Sequence, residues 1–312
     1  AALDGLARVS DPAVSDTPGV FASFFGPDPV GLLGVVLLTS LGTWGLPQMV
    51  QKFYAIRSEK AIDKGTIIST VFAAIVAGGC YFLGGFGRLF SDQVDVAANG
   101  YDSIVPTMLE GLSTVLIAVV VILVLSASMS TLSSLVLASS STLTLDFIKD
   151  TIVKDMDEKR QILTMRLLIV VFIAISVVLA IVQYRSNVTF IAQLMGVSWG
   201  ALAGAFLAPF LYGLYWKKTT RGACWVSFLF STVVMLANIF FGKYFPTLLQ
   251  SPINAGAFCM LAGLIIVPVV SLVTPRLPQG QIDRIFACYD RKVVVSVKDS
   301  IGDHTNPKEE TP

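Results

Sequence analysis

The stretch SASMSTLSSLVLASSSTLTLD, residues 126–146, decides how this chain is organised. Eleven of the nineteen residues from Ser126 to Thr144 are Ser or Thr, and they lie within an apolar run that begins near Leu112. Hydroxyl groups in hydrocarbon need partners. A membrane helix this rich in hydroxyls therefore has to face protein, water or an ion.

The composition of the chain indicates an all-α membrane protein. Hydrophobic residues make up 54% of the sequence, charged residues only 14%, and the mean hydropathy is +0.74. The net charge of +1 gives no reason to expect a nucleic-acid partner. The single histidine, His304, lies in a polar tail, and the four cysteines lack metal-ligand spacing, so neither a histidine-based catalytic site nor a disulfide framework is expected.

Seven apolar stretches are long enough to cross roughly 30 Å of hydrocarbon. Residues 1–29 are expected to form an extracellular or periplasmic loop with one interfacial helix, and residues 274–312 a disordered cytoplasmic tail in which residues 293–297 could instead pair as a strand. The seven expected spans cover about 30–51, 66–88, 112–145, 164–184, 188–216, 222–242 and 254–273, within a membrane domain of residues 30–273.

The distribution of Lys and Arg predicts the orientation of these spans. Eighteen of the 22 basic residues fall in loops on one side and in the C-terminal tail, and the other four fall on the opposite side. Because cytoplasmic loops carry the excess of Lys and Arg, we expect the N-terminus outside and the C-terminus in the cytoplasm.

The third stretch, 112–145, is longer than a bilayer requires. Its 34 residues would form a helix of roughly 51 Å, so it has to tilt, kink or project past the membrane. Its end is expected at Asp146. The preceding segment 101–112 is expected to form a short external helix with Glu110 at the interface.

Within the hydroxyl-rich stretch, the spacing of three residues favours a cation site. Ala127, Ser130 and Thr131 fall at positions i, i+3 and i+4 of a helix, which places a carbonyl and two hydroxyl oxygens on one face. Oxygen ligands alone suit a hard cation such as sodium. A Ser/Thr seam that joins neighbouring helices accounts for the stretch at least as well.

The first stretch carries helix-breaking residues near its middle. Gly42, Gly45 and Pro47 interrupt it, and Pro removes a helical hydrogen bond while Gly lowers the cost of unwinding. Such interrupted segments mark the binding sites of transporters, although a simple proline kink fits the same pattern. None of the seven spans has a charged residue near its centre, which argues against a proton relay and against an intramembrane enzyme.

Three motifs together resemble the sodium/solute symporter family, and within it the bacterial proline symporters. They are GLPQ-x-x-x-KFYAIRS at residues 45–58, ASMSTLSS at residues 127–134 with its Leu145-Asp146 ending, and WKKTTRGA at residues 216–223. Their order and spacing agree with the family over some 200 residues. The resemblance implies a ten-helix core made of two inverted five-helix repeats, of which this chain would hold the second repeat plus two C-terminal helices.

The resemblance also implies where the ligands bind. Sodium would lie between the family's first helix, absent here, and the carbonyl of Ala127 with the hydroxyls of Ser130 and Thr131. The solute would bind at the broken helix. The substrate-facing positions on that helix would be Thr39, Ser40, Thr43, Trp44 and Pro47.

The function expected from this resemblance is sodium-coupled symport of a small organic solute across the cytoplasmic membrane. The solute would be an amino acid such as proline or an organic carboxylate. Proline-transporting members have aromatic residues in place of Thr39 and Thr43, and the residues at Ser40, Thr43 and Gly196 disfavour a sugar. The chain, which starts with Ala, would be a C-terminal fragment whose partners are the missing N-terminal helices and the lipid bilayer. A non-transporting scaffold or sensor and a passive channel are the alternatives.

Overall fold

The computed structural model describes residues 2–11, 14–47, 49–50, 56, 59–94, 100–154, 156–186 and 191–290. Apart from an isolated bridge between Asp11 and Ser15, every regular element in these ranges is helical. The α-helices are α1 (Ala2–Arg8), α2 (Pro29–Gly45), α3 (Glu59–Gly85), α4 (Ile104–Leu109), α5 (Thr114–Thr142), α6 (Glu158–Ser186), α7 (Ile191–Tyr215), α8 (Arg221–Phe241), α9 (Thr247–Gln250), α10 (Pro252–Val273) and α11 (Gln279–Phe286).

Six helices among the described residues are long and apolar enough to cross a membrane, namely α3, α5, α6, α7, α8 and α10. Helix α2 is also apolar but has only 17 residues. The structure thus contains a helix in each of the seven expected spans, and six of these helices reach full spanning length.

The chain divides into two units, and each is described separately below. Unit 1 comprises Ala1–Gly85 and Ala192–Pro312, and unit 2 comprises Phe86–Ile191. Unit 1 therefore contains the interrupted helix α2, and unit 2 contains the hydroxyl-rich helix α5.

In unit 1, small residues let α7 and α10 approach closely. A Cβ built on Gly200 would lie 2.6 Å from the Cα of Gly256, and one on Gly196 would lie 2.8 Å from the amide nitrogen of Ile253. Close approach through small residues is how membrane helices associate, because lipid removes the hydrophobic driving force between them. The glycines of α7 at these positions therefore serve close helix packing.

Side-chain hydroxyls bond across the helices of unit 1. On α8, fully buried Ser231 donates to the carbonyls of Gly200 and Ala201 on α7, at 3.1 and 3.3 Å. The hydroxyl of Tyr212 on α7 donates to the carbonyl of Leu264 on α10 at 2.9 Å. These bonds satisfy polar groups that hydrocarbon would otherwise leave without partners.

Helix α2 begins where local sequence chemistry predicts a helix start. The side chain of Asp28 accepts a hydrogen bond from the amide of Gly31 at 2.8 Å, and Pro29 occupies the first helical turn. Its buried face packs Leu38 into a cluster with Ala203, Leu207 and Met260 from α7 and α10. Helix α2 is therefore held by the two helices that follow it much later in the chain.

In unit 2, the hydroxyl-rich helix is longer than expected. Helix α5 continues without interruption into a π-helical segment, Leu143–Ile152, so that 39 residues from Thr114 to Ile152 form one helix of about 58 Å. The expectation that the helix ends at Asp146 is wrong, because the wider π turns carry it six residues further. Thr144, at the start of these turns, is fully buried, and its hydroxyl has no hydrogen-bond partner among the residues that the structure describes.

The segments outside the spans are partly helical. Residues 2–8 and 20–22 form short helices within the expected N-terminal loop, and residues 101–109 form the expected short helix before the third span. The expectation of disorder throughout 274–312 is wrong for residues 279–290. Helix α11 and the turn after it form there, and the hydroxyl of Tyr289 donates to the carbonyl of Leu214 at 2.8 Å. The alternative strand at 293–297 lies outside the described residues.

Candidate functional site

The interruption of the first span lies at Leu46. Helix α2 ends at Gly45, and Leu46 adopts an extended conformation with φ −85° and ψ 117°. Helical bonding resumes directly afterwards, where the amide of Met49 donates to the carbonyl of Leu46 at 2.9 Å. The predicted break in this helix is confirmed, with a single extended residue at its centre.

The break leaves the carbonyl of Thr43 without its helical donor. That donor would be the amide of the residue four positions later, which is Pro47 and has no N–H. An unpaired carbonyl in a membrane helix is tolerated only where protein, water or a ligand can approach it. The carbonyl of Thr43 therefore lacks the helical hydrogen bond from residue 47 and has acceptor capacity for a hydrogen-bond donor or a cation.

Close packing against α7 supports the break from one side. A Cβ on Gly45 would lie 2.8 Å from the Cα of Ala203 and 2.9 Å from its carbonyl oxygen. One turn earlier, a Cβ on Gly42 would lie 3.3 Å from the ring of Trp199 on α7. Leu46 itself is only 1% exposed. The backbone at the break thus packs directly against α7, and the contact leaves no room for a side chain at Gly45.

The substrate-facing candidates lie away from this packed surface. Ser40, Trp44 and Pro47 are exposed; Ser40 and Trp44 lie four residues apart on one face of α2, and Pro47 follows the break. Thr39 and Thr43 are half-buried and lie beside that face. The structure therefore places Ser40 and Trp44 on one exposed face of α2, with the two half-buried threonines beside it and Pro47 beyond the break.

The hydroxyls of this group differ in what they can still bind. Thr39 donates to the carbonyl of Val35 at 2.8 Å, and Thr43 donates to the carbonyl of Ser40 at 3.1 Å. The hydroxyl of Ser40 makes no hydrogen bond with any described residue. Ser40 is accordingly the hydroxyl that can donate to a ligand, while the two threonines retain only acceptor capacity.

The three sodium candidates are exposed on α5. The hydroxyls of Ser130 and Thr131 have no hydrogen-bond partner among the described residues. Ala127 and Thr131 border an open depression of about 440 Å³, together with Ser128, Leu132 and Leu135. Ser130 is not among the residues that line it, so the structure gathers two of the three candidates at one depression.

Other hydroxyls of α5 are bonded within the helix itself. Ser133 donates to the carbonyl of Met129 at 2.7 Å, and Ser134 donates to the carbonyl of Thr131 at 2.8 Å. None of the hydroxyl hydrogen bonds that the described residues of α5 make joins it to another helix. Ser130 and Thr131 differ from these neighbours because their hydroxyls remain uncommitted.

The chemistry of both candidate regions is that of neutral oxygen. In the ranges that the structure describes, no group of three or more His, Cys, Asp or Glu side chains is placed to hold a metal ion. The groups available at Ser40, Thr43, Ser130 and Thr131 are hydroxyl and carbonyl oxygens. Such oxygen atoms can coordinate alkali cations and form hydrogen bonds with solutes.

Three residues that no sequence motif indicated contact the interrupted helix, namely Ala203, Asn254 and Met260. The side chain of Asn254 lies directly against Gly34, and the methyl group of Met260 lies 3.4 Å from a Cβ built on Gly42. The stripe of small residues on α7 indicates that other helices pack closely against it. The sequence does not show that these helices are α2 and α10.

A chain with six helices of spanning length, whose regular elements are helical throughout the described ranges, is a multi-pass membrane protein. The sequence profile described as "Sodium:solute symporter family" matches residues 23–230. The chain belongs to this family of transporters, which are not enzymes and whose name implies a sodium ion and a solute. Much of the GLPQ-x-x-x-KFYAIRS motif, namely Gln48, residues 51–55 and residues 57–58, lies outside the described residues.

Among curated proteins, the chain is distantly similar to bacterial proline transporters. It is 25% identical over 254 residues to a sodium/proline symporter of Staphylococcus aureus, covering 80% of this chain and 48% of that protein. It is also 25% identical to the high-affinity proline transporter of Bacillus subtilis (71% of this chain, 46% of the relative) and to its osmoregulated proline transporter (83% and 51%). The chain thus spans about half the length of these relatives. No solved structure gives a significant match.

Proposed function

We propose that this chain carries the second inverted repeat of a symporter that couples the entry of sodium to that of a small organic solute. The solute would be an amino acid such as proline or an organic carboxylate. The observation that carries this proposal is the break at Leu46, which presents uncommitted polar groups on the exposed side of α2. Family membership and the names of the proline-transporting relatives support it.

The polar groups at the break match a zwitterionic solute. The hydroxyl of Ser40 can donate to a carboxylate, and the carbonyl of Thr43 can accept from an ammonium or iminium group. Trp44 is 59% exposed and offers an apolar surface for the body of the solute. Gly196, which a sugar-binding side chain would have to replace, packs against Ile253 without space for a Cβ. These features favour a small amino acid over a sugar.

Sodium would bind at α5 through the carbonyl of Ala127 and the hydroxyls of Ser130 and Thr131. The remaining ligands would come from the first helix of the family's fold, which lies outside this sequence. Sodium bound there would favour an outward-open state, and rocking between the two repeats would then release both ligands to the cytoplasm. The N-terminus would lie outside and the C-terminus inside, as the distribution of basic residues favours.

Uptake by the natural polypeptide that contains this sequence tests the proposal. The protein is reconstituted into liposomes, and labelled proline uptake is followed with an inward sodium gradient and with potassium in its place. We expect accumulation above equilibrium only with sodium. Uptake that merely equilibrates, or that ignores the cation, contradicts the proposal and indicates a channel.

Variants of α5 then test the sodium ligands. Ser130→Ala and Thr131→Ala should each raise the half-saturating sodium concentration about tenfold or more, since a hydrogen bond or contact to a charge is worth about 1.5–3 kcal/mol. Ser133→Ala is the matched control, because its hydroxyl is already bonded to Met129 in the same helix. An unchanged sodium dependence in the first two variants, or an equal shift in the control, refutes this ligand set.

A further inference from the structure

A group of basic residues lies at one end of unit 1, where three membrane helices stop. Helix α7 ends at Tyr215, α8 begins at Arg221, and α10 ends at Val273. The loop between α7 and α8 and the segment after α10 supply the cations of this boundary cluster, which we define as Lys217, Lys218, Arg221, Arg276 and Arg284.

Hydrogen bonds hold these segments together. The amide of Thr220 donates to the hydroxyl of Ser271 at 3.3 Å, and the hydroxyls of Thr220 and Thr274 bond to each other. Thr220 is 1% exposed and also caps α8 by accepting from the amide of Ala223. The loop with Lys217, Lys218 and Arg221 is therefore fixed to the end of α10, two residues before Arg276.

Helix α11 closes the cluster from the other side. The Nζ of Lys217 lies 5.5 Å from the ring centroid of Phe286, which stacks with Tyr289 at 5.8 Å. Tyr289 in turn donates to the carbonyl of Leu214 at the end of α7. These contacts place Arg284, two residues before Phe286, beside the same helix ends.

The positive charge of the cluster is not neutralised by nearby residues. All five basic side chains are exposed, and none takes part in an ion pair within the described part of the chain. Asp283 and Asp290 are the acidic residues of segments 216–221 and 274–290, and Asp283 accepts from Gln279 at 3.4 Å. Five exposed cations against two carboxylates leave an excess of positive charge.

The position of the cluster determines which anion can reach it. Trp216 lies next to Lys217, and its ring packs 5.7 Å from that of Tyr212 at the end of a membrane helix, where an indole marks the headgroup level of a bilayer. Clustered Lys and Arg at such a boundary bind anionic lipid headgroups, each contributing about a fivefold gain in affinity. We propose that the boundary cluster is a binding site for the phosphate headgroup of an anionic phospholipid.

Native mass spectrometry of the full purified chain tests this proposal with two lipids, dioleoylphosphatidylglycerol and dioleoylphosphatidylcholine. We expect tighter binding of the anionic lipid by more than about 100-fold, since each cation contributes about fivefold. The triple variant K217Q/K218Q/R221Q should lower the affinity for phosphatidylglycerol by roughly 100-fold and leave that for phosphatidylcholine unchanged, while Arg276 and Arg284 keep the rest of the preference. Equal binding of the two lipids by the unsubstituted chain overturns the proposal.

Two further variants separate the site from general charge and from misfolding. K154Q/K159Q/R160Q removes three exposed cations from unit 2 and should leave lipid preference unchanged. K217R/K218R/R221K keeps the charges and should keep the preference. Loss of preference in the unit 2 variant, or an affinity of K217Q/K218Q/R221Q for phosphatidylglycerol equal to that of the unsubstituted chain, overturns the proposal, as does displacement of the lipid by an equal concentration of glycerol phosphate.

Discussion

Replacing Gly45 by Ala tests whether packing against α7 holds the helix break in place. The new Cβ would lie 2.8 Å from the Cα of Ala203 and 2.9 Å from its carbonyl oxygen. Carbon atoms in contact normally lie about 3.5–4.0 Å apart, so α2 and α7 must separate by roughly 1 Å. Main-chain atoms cannot rotate away as a flexible side chain could. The expected loss is about 1–3 kcal/mol of the free energy of unfolding.

The assay is unfolding of the purified chain in mixed micelles with increasing denaturing detergent. Gly78→Ala on α3 is the matched control, because a Cβ there meets nothing within 4 Å. The control should be unchanged or more stable by about 0.5–1 kcal/mol, which is the usual gain from replacing a helical glycine. If Gly45→Ala is as stable as Gly78→Ala, the close contact with Ala203 does not hold the break.

The same substitution should reach the candidate solute site. Trp44 and Pro47 flank the displaced residue on the chain, and a shift of about 1 Å in binding groups can cost up to about 100-fold in function. In the natural polypeptide, Gly45→Ala should therefore weaken solute uptake more than it changes the sodium dependence. Adding Ala203→Gly should restore part of the uptake, because it removes the Cβ of Ala203, which lies 2.9 Å from the new methyl group. The rescue should be partial, because the Cα of residue 203 still lies at 2.8 Å.

Three further predictions concern packing in unit 1 and are measured by the same unfolding assay unless stated. Gly200→Ala should be about 1–3 kcal/mol less stable than Gly213→Ala on the same helix, because only Gly200 meets a neighbouring backbone, and equal stabilities would refute the close crossing. Ser231→Ala should cost about 0.5–1.5 kcal/mol through the lost bonds to α7, and a neutral result would mean that these bonds add nothing to stability. Tyr289→Phe should leave the membrane helices intact while raising amide exchange in residues 279–286, and unchanged exchange would show that the bond to Leu214 does not hold α11.

Local sequence patterns predicted the elements of this fold correctly where the physical cause is local. Hydropathy located the membrane helices, because each apolar run must itself be long enough to cross the bilayer. The break at Leu46 was predictable from Gly45 and Pro47, since an absent N–H acts on the residues of its own helix. The end of α5 was not predictable. The charge of Asp146 indicates that the apolar span ends there, but the π-helical turns continue beyond it, and they pack against α6.

The candidate sites divide in the same way. Ser40 and Trp44 are four residues apart on α2 and both are exposed, but the break at Leu46 means that helical spacing does not place Pro47 on their face. The substrate-facing set remains a prediction. Composition could not tell which hydroxyls are free, because Thr39 and Ser133 resemble Ser40 and Ser130 in sequence but donate to their own helices. The sodium ligand set remains a prediction.

The sequence by itself determined that the chain is a helical membrane protein with an interrupted first span and a hydroxyl-rich third span. Those properties follow from hydropathy and from backbone chemistry that acts within a few residues. The tertiary structure decided that Gly45 sits on Ala203, that Gly200 crosses Gly256, and that the loop before α8 joins the segment after α10 into one basic cluster. Contacts of this kind, with those of Leu38 and Gly34 to α10, link residues up to about 220 positions apart, and they depend on how the helices pack.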